Sequence, residues 1–293
     1  MILLWIMLGF LLYRCGVQKA EGAQVLSKLE LYIFMPCMMF SAFAADVTRA
    51  DLLDKSVYLL WGSVLAAATY VLGRVFAAAL SKEPYQRSVF VFEFLIPNYG
   101  FIGYALIETL YGEDMLLNTV IFSLPLTLYA CTEGYRSLCC GKRLSVKDVC
   151  NPSLLAVFAG ILVVALGIPV PVVLQSVIQT GKGAVAPLGM LLVGMVLAEF
   201  DLKKLLREKA LYAASALRLL VLPCMICLLL KLVHAPEPVV IIAALFYTLP
   251  AGLNPVIYAK FAGRDCHTGA GMLLITNVAV LITMPLLVRM FLK

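Results

Sequence analysis

Charge is scarce in this chain. Of its 293 residues, 14% are Asp, Glu, Lys or Arg, whereas 63% are hydrophobic, and the mean hydropathy is +0.99. A soluble domain carries about 25% charged and about 45–50% apolar residues, so a water-soluble globule is excluded. Acid at depth is also missing. All seven aspartates (Asp46, Asp51, Asp54, Asp114, Asp148, Asp201, Asp265) fall in or next to expected loops. None marks a membrane midplane, which argues against a sodium/proton antiporter. No His-Glu-x-x-His, Gly-x-Ser-x-Gly or paired intramembrane aspartate is present, so an intramembrane enzyme is not expected. The nine cysteines and two histidines show no metal spacing. Neither a metal nor a cofactor is expected, and the cysteines read as free thiols. Residues 1–13 are apolar but lack a basic leader and a small-residue cleavage site, so they read as a short first helix.

What is present is a series of apolar runs. A bilayer's hydrocarbon core of roughly 30 Å takes about 20 helical residues per crossing. Ten spans are expected, at 1–14, 25–45, 56–80, 85–110, 115–138, 152–168, 181–200, 209–233, 238–262 and 267–291, leaving little for a soluble domain. The net charge of +6 comes from short loops rather than from a nucleic-acid patch, so no nucleic-acid partner is expected. Alternate loops are rich in Lys and Arg: Arg14, Lys19 and Lys28, then Lys82 and Arg87, then Arg136 to Lys147, then Lys203 to Lys209, then Lys260 and Arg264. The opposite loops hold only Arg49, Lys55, Lys182 and Lys231, with Arg289 and Lys293 at the end. The basic side is cytoplasmic. Both termini are therefore expected outside, in a multi-pass protein of the cell (inner) membrane.

The chain also repeats itself. Gly9 and Gly16 of the first span match the spacing of Gly160 and Gly167 in the sixth. Pro36 and then Asp51-Leu52-Leu53 are echoed by Pro187 and then Asp201-Leu202. Pro97-Asn98-Tyr99-Gly100 in the fourth span is echoed by Pro250-Ala251-Gly252-Leu253-Asn254-Pro255 in the ninth. Five spans per half is an odd number, so the halves insert with opposite orientation, the plan of many secondary transporters. The expected organisation is a first repeat at 1–138, a short cytoplasmic loop at 139–150 and a second, inverted repeat at 151–293.

The two Pro/Gly/Asn clusters are costly in a helix. An interior proline removes a hydrogen bond and clashes with the preceding turn, at roughly 3 kcal/mol. Hydrocarbon adds several kcal/mol for each unpaired backbone group. Both helices are therefore expected to break near the midplane and face a cavity. Each break exposes a half-helix N-terminus, which favours an anion. The expected substrate-binding residues are Pro97, Asn98, Tyr99, Gly100, Pro250, Gly252, Asn254 and Pro255. Two ionisable residues lie at similar depth. Glu93 precedes Pro97 by one helical turn, and Arg218 lies about 15 Å into the eighth span at 1.5 Å per residue. They are expected near each other, as a coupling site or an ion pair.

At these residues the chain resembles the auxin efflux carrier family. The likeness rests on Asn98-Tyr99-Gly100-Phe101-Ile102-Gly103 with Leu110-Tyr111-Gly112, on Asn151-Pro152-Ser153, and on Pro187 to Leu197. Arg218-Leu219-Leu220 with Pro223, Pro250 to Asn254, and Thr283-Met284-Pro285-Leu286 extend it over the whole chain. The resemblance implies an all-α membrane fold of the bile-acid-symporter/antiporter kind, with ten helices in two inverted five-helix repeats and broken crossover helices 4 and 9. It implies a scaffold of helices 1, 2, 6 and 7, and a transport domain of helices 3–5 and 8–10 that moves as an elevator. It also implies a small organic-anion substrate, such as a dicarboxylate or an indole acid, and a homodimer. The long cytoplasmic loop of the plant members is absent. Two alternatives remain: a sodium-coupled symporter of the bile-acid type, with oxygens from Asn98, Glu93, Asn254 and Asn277, and a transporter-like sensor. A proton or sodium is the expected coupling ion, and the lipid bilayer is the expected surroundings.

Overall fold

A computed structural model describes residues 2–18, 20–44, 48–139 and 152–292. Apart from Cys139, the expected loop at 139–150 lies outside the described residues, as do Lys19, Asp46, Asn151 and Lys293. Among the described residues every regular element is helical. Helix α1 is Ile2–Arg14. Helix α2, Ala20–Leu29, runs through a π-helical turn, Glu30–Phe34, into α3, Met35–Ala44. A capping box of Thr48 and Asp51 starts the short α4, Arg49–Asp54, and α5 is Ser56–Leu80. Helix α6, Pro84–Leu95, begins where the Glu83 carboxylate accepts the Tyr85 and Gln86 N–H groups. A second π turn, Tyr99–Gly103, leads into α7, Tyr104–Tyr129. The chain continues through a π turn at Ala130–Gly134 into α8, Tyr135–Leu138.

In the second half come α9, Pro152–Leu166, α10, Val172–Ala198, and the short α11, Leu202–Leu205. Helix α12, Lys209–Ala216, passes through the π turn Leu217–Val221 into α13, Leu222–Leu232. Then follow α14, Glu237–Thr248, α15, Asn254–Phe261, and α16, His267–Phe291. Two of the π turns, Glu30–Phe34 and Leu217–Val221, end two residues before Pro36 and Pro223. A proline has no N–H to offer the preceding turn, and a widened turn makes space for its ring.

Among the described residues, six helical stretches are long and apolar enough to cross a membrane: Glu21–Phe43, Ala50–Leu80, Tyr99–Leu138, Val172–Ala198, Lys209–Leu232 and His267–Phe291. Leu3–Arg14, Pro152–Leu166 and Glu237–Thr248 are shorter apolar helices. Several boundaries differ from those expected. Helix α10 begins at Val172 rather than 181. Its polar first turns hold because Gln175 donates to the Val170 carbonyl, Ser176 to that of Val172 and Thr180 to that of Ser176. Polar side chains that bond their own backbone are tolerated where bare polarity suggests a loop. The expected loop between the fourth and fifth spans is a single corner at Gly112, with φ 85° and ψ −178°, a region open almost only to glycine.

The chain folds as two compact units. Unit 1 comprises Met1–Val57, Tyr104–Ile121 and Ser145–Phe200, and unit 2 comprises Tyr58–Gly103, Phe122–Leu144 and Asp201–Lys293. In unit 1, α1 and α10 meet backbone to backbone. A Cβ on Gly9 would overlap the Leu191 carbonyl, and one on Gly194 would overlap that of Ile6. In unit 2 the core includes Phe90, Phe94, Leu211, Ala214, Ala251 and Met272. The Tyr99 ring stacks on Phe246 with centroids 5.0 Å apart.

Candidate functional site

The site is built from two chain interruptions inside unit 2. Helix α6 stops at Leu95 and helical geometry resumes at Tyr99. Helix α14 stops at Thr248 and α15 starts at Asn254. At each gap a proline withholds the N–H that a continuous helix would use. The two gaps satisfy one another. Pro97 and Ala251 form an isolated antiparallel bridge, and the Asn98 N–H donates to the Pro250 carbonyl at 2.9 Å. The Asn98 carbonyl accepts from Ile102 and Gly103, both at 3.2 Å, which closes the first turn of the resumed helix.

Side chains satisfy what remains. The Ala251 N–H donates to Thr276 Oγ1 on α16 at 2.9 Å, and the Gly252 N–H donates to Glu93 Oε2 on α6 at 3.1 Å. Arg218 Nη1 donates to the Tyr247 carbonyl at 3.0 Å, just before the second gap. The Tyr99 and Thr127 hydroxyls lie 2.9 Å apart. Backbone left open in an apolar interior is costly, so these bonds hold the two irregular segments in place.

Glu93 and Arg218 are both 0% exposed. They lie close enough to act on each other electrostatically, yet the two side chains are not bonded to each other, each being bonded to backbone instead. Part of each is left unused. Glu93 Oε1 and Arg218 Nε and Nη2 are buried without a hydrogen-bond partner. The same holds for Asn98 Nδ2 and for Asn277 Oδ1 on α16. A buried polar group without a partner costs about 1–3 kcal/mol, so such groups invite a ligand or a proton. The amide and guanidinium donors suit an anion, and the carboxylate and amide oxygens suit a proton or a cation.

The remaining expected site residues divide. Pro97, Tyr99, Pro250, Gly252 and Pro255 are buried, whereas Gly100 and Asn254 are not. Gly100 and Asn254 are half-buried, and Pro255 is buried in the first turn of α15. The Asn254 side chain makes no hydrogen bond among the described residues, so Asn98 is the asparagine tied to the bridge.

Two ionisable residues escaped the sequence reading. Lys182 was expected in an outer loop, but it lies well inside α10 and is 8% exposed. It pairs with Glu108 and lies 3.6 Å from Glu113, the two acids flanking the Gly112 corner within unit 1. Glu108 is thus turned to a buried cation. Glu30 is 1% exposed in the α2–α3 π turn, and neither carboxylate oxygen has a partner. The signal was a lone glutamate in the apolar run Leu29 to Phe34.

The family model described as "Membrane transport protein" matches residues 1–137 and 136–288. The chain belongs to that family, to which the auxin efflux carriers belong. Family relatives agree. An "Uncharacterized transporter" of Methanothermobacter thermautotrophicus is 22% identical over 97% of this chain and 94% of its own length. A "Putative malonate transporter" of Rhizobium meliloti is 24% identical over 93% of this chain and 88% of its own. A membrane transport protein with several apolar helices is a multi-pass membrane protein, and family members are transporters rather than enzymes.

Proposed function

We propose that this protein is a secondary active transporter of small organic anions, carboxylates in particular, whose site is the crossing of the two interrupted helices. The observation that carries this is the set of uncommitted buried donors beside the crossing, Asn98 Nδ2 and Arg218 Nε and Nη2. A carboxylate would fill them with charge-assisted hydrogen bonds. The relative named for malonate supports a short dicarboxylate. On this reading the ten expected spans form two inverted repeats in the inner membrane, both termini are outside, and the protein works as a homodimer.

The mechanism we favour is elevator-type alternating access. The division into two units supports it. Unit 1 contains the first, second, sixth and seventh expected spans, and unit 2 contains the third and the last three. The segment Tyr104–Ile121 groups with unit 1, so a moving domain of helices 3–5 and 8–10 would have to take that segment with it. A sodium-coupled symporter is the second reading. The free oxygens Glu93 Oε1 and Asn277 Oδ1 favour it, since a cation takes oxygen ligands.

The test is a thermal-shift screen of mono- and dicarboxylates on the purified protein, followed by flux in proteoliposomes with and without sodium. Stabilisation and flux with a carboxylate, both weakened in Asn98→Ala, are expected. A protein that binds carboxylates without any flux is a sensor. A protein indifferent to all of them sinks the anion reading.

A further inference from the structure

Unit 2 contains a polar cavity that shares no residue with the crossing. It encloses about 290 Å³ where α5 ends, α6 begins and the segment Tyr129 to Ser137 runs past them. Its polar lining includes Arg74, Arg87, Glu133, Tyr70, Ser88 and Ser137. The charges on this lining are unbalanced. Arg136, which is not on the lining, holds both oxygens of Glu133, through Nε to Oε2 at 2.7 Å and Nη2 to Oε1 at 2.8 Å. Glu133 still acts electrostatically on Arg74, but each of its oxygens already accepts a bond from Arg136.

The two lining arginines have no acidic partner within 4 Å among the described residues. Arg74 Nη1 donates to the Tyr70 hydroxyl at 3.1 Å, and its guanidinium lies over the Tyr70 ring, 5.7 Å from the centroid. Arg87 Nε donates to the Ser81 carbonyl at 2.6 Å. Each arginine has five N–H donors, so most remain for a ligand. Guanidinium forks match the geometry of phosphate oxygens. Apolar side chains adjoin the lining residues in sequence: Val71 and Val75 on α5, within one turn of Arg74, are 61% and 59% exposed, and Leu128, next to Tyr129, is 43% exposed. A ligand placed here would meet two guanidiniums at one end and hydrocarbon at the other.

We propose that this cavity is a phosphate-binding site for an anionic phospholipid, with the headgroup phosphate on Arg74 and Arg87 and an acyl chain along Val71 and Val75. Basic pockets between membrane helices bind lipid headgroups on this principle. The site does not depend on what the crossing transports.

The experiment uses the full-length protein in phosphatidylcholine nanodiscs, with and without phosphatidylglycerol, reading melting temperature and retained lipid by native mass spectrometry. A parallel arm in detergent adds inorganic phosphate. Phosphatidylglycerol is expected to raise the melting temperature and to be retained. The Arg74→Gln/Arg87→Gln double variant is expected to weaken this about tenfold or more. Glu133→Gln removes the lining carboxylate and is expected to strengthen retention, which general damage to the fold would not do. A response to inorganic phosphate without preference for phosphatidylglycerol supports the phosphate site and assigns it to a soluble ligand. Phosphatidylglycerol retention that is unchanged in the double variant, or no response in either arm, overturns the proposal.

Discussion

Glu93 and Gly252 are 159 positions apart, yet the carboxylate of one accepts the backbone N–H of the other across 3.1 Å. A side chain on the first interrupted helix thus completes the backbone of the second. Glu93→Gln keeps an acceptor for Gly252 and removes the charge. It is expected to keep the fold, to leave the melting temperature within a few degrees of the parent, and to flatten the pH dependence of transport. Glu93→Leu also removes the acceptor and is expected to cost about 1–3 kcal/mol more. If Glu93→Gln keeps the full pH profile of flux, Glu93 has no part in coupling.

Arg218 offers a double-mutant cycle with the same residue. Removing one member of a buried charged pair leaves the other uncompensated, at about 3–5 kcal/mol. Arg218→Leu is expected to be severe, and Glu93→Leu/Arg218→Leu less severe than the sum of the single variants. Strict additivity in denaturation midpoints would mean that the two groups are energetically independent.

Asn98 separates binding from folding. Its backbone N–H and carbonyl make the bonds that hold the crossing, whereas Nδ2 has no partner. Asn98→Ala keeps the backbone bonds and is expected to melt near the parent temperature. Carboxylate affinity is expected to fall about tenfold, as for one lost charge-assisted bond. An unchanged binding isotherm would remove Asn98 from the site.

Much of this architecture is readable from local chemistry. Proline at 97 and 250 removes an N–H where each helix is interrupted, and the runs at 56–80 and 267–291 end where the helices end. What is not readable is of two kinds. The start of α10 is hidden because Gln175, Ser176 and Thr180 bond nearby backbone carbonyls, so the polar stretch reads as loop and Lys182 as an outer residue. The partners of Glu93 and Thr276 are long-range contacts with backbone, and no spacing in one sequence carries them. Glu30 was legible in principle as a single acid in an apolar run.

Lys182 with Glu108 and Glu113 gives a prediction away from the crossing. Lys182→Met leaves Glu108, three-quarters buried, facing an apolar side chain. It is expected to lower the melting temperature by several degrees, and Lys182→Met/Glu108→Gln is expected to recover part of the loss. A single variant as stable as the parent would show that the pair contributes nothing measurable.

Gly112 tests the corner between those two acids. With φ 85° and ψ −178°, any side chain strains the backbone, and Gly112→Ala is expected to cost about 1–3 kcal/mol. Nothing lies within 4 Å of a Cβ there, so a loss in the urea midpoint would report strain rather than a clash.

The seam between α1 and α10 has a different consequence. Gly9 and Gly194 bring main chains together so closely that neither face has space for a side chain, and the carbonyls of Leu191 and Ile6 rest against glycine. Attraction across such a joint is dispersion and weak C–H···O contact, which carry no titrating group and no counterion. This joint is therefore indifferent to acidity and ionic strength, unlike the contacts that Glu93, Arg218 and Lys182 make. It is instead sensitive to mass: one added methyl group at either glycine pries the two helices apart, while any change of pH or salt leaves them clamped.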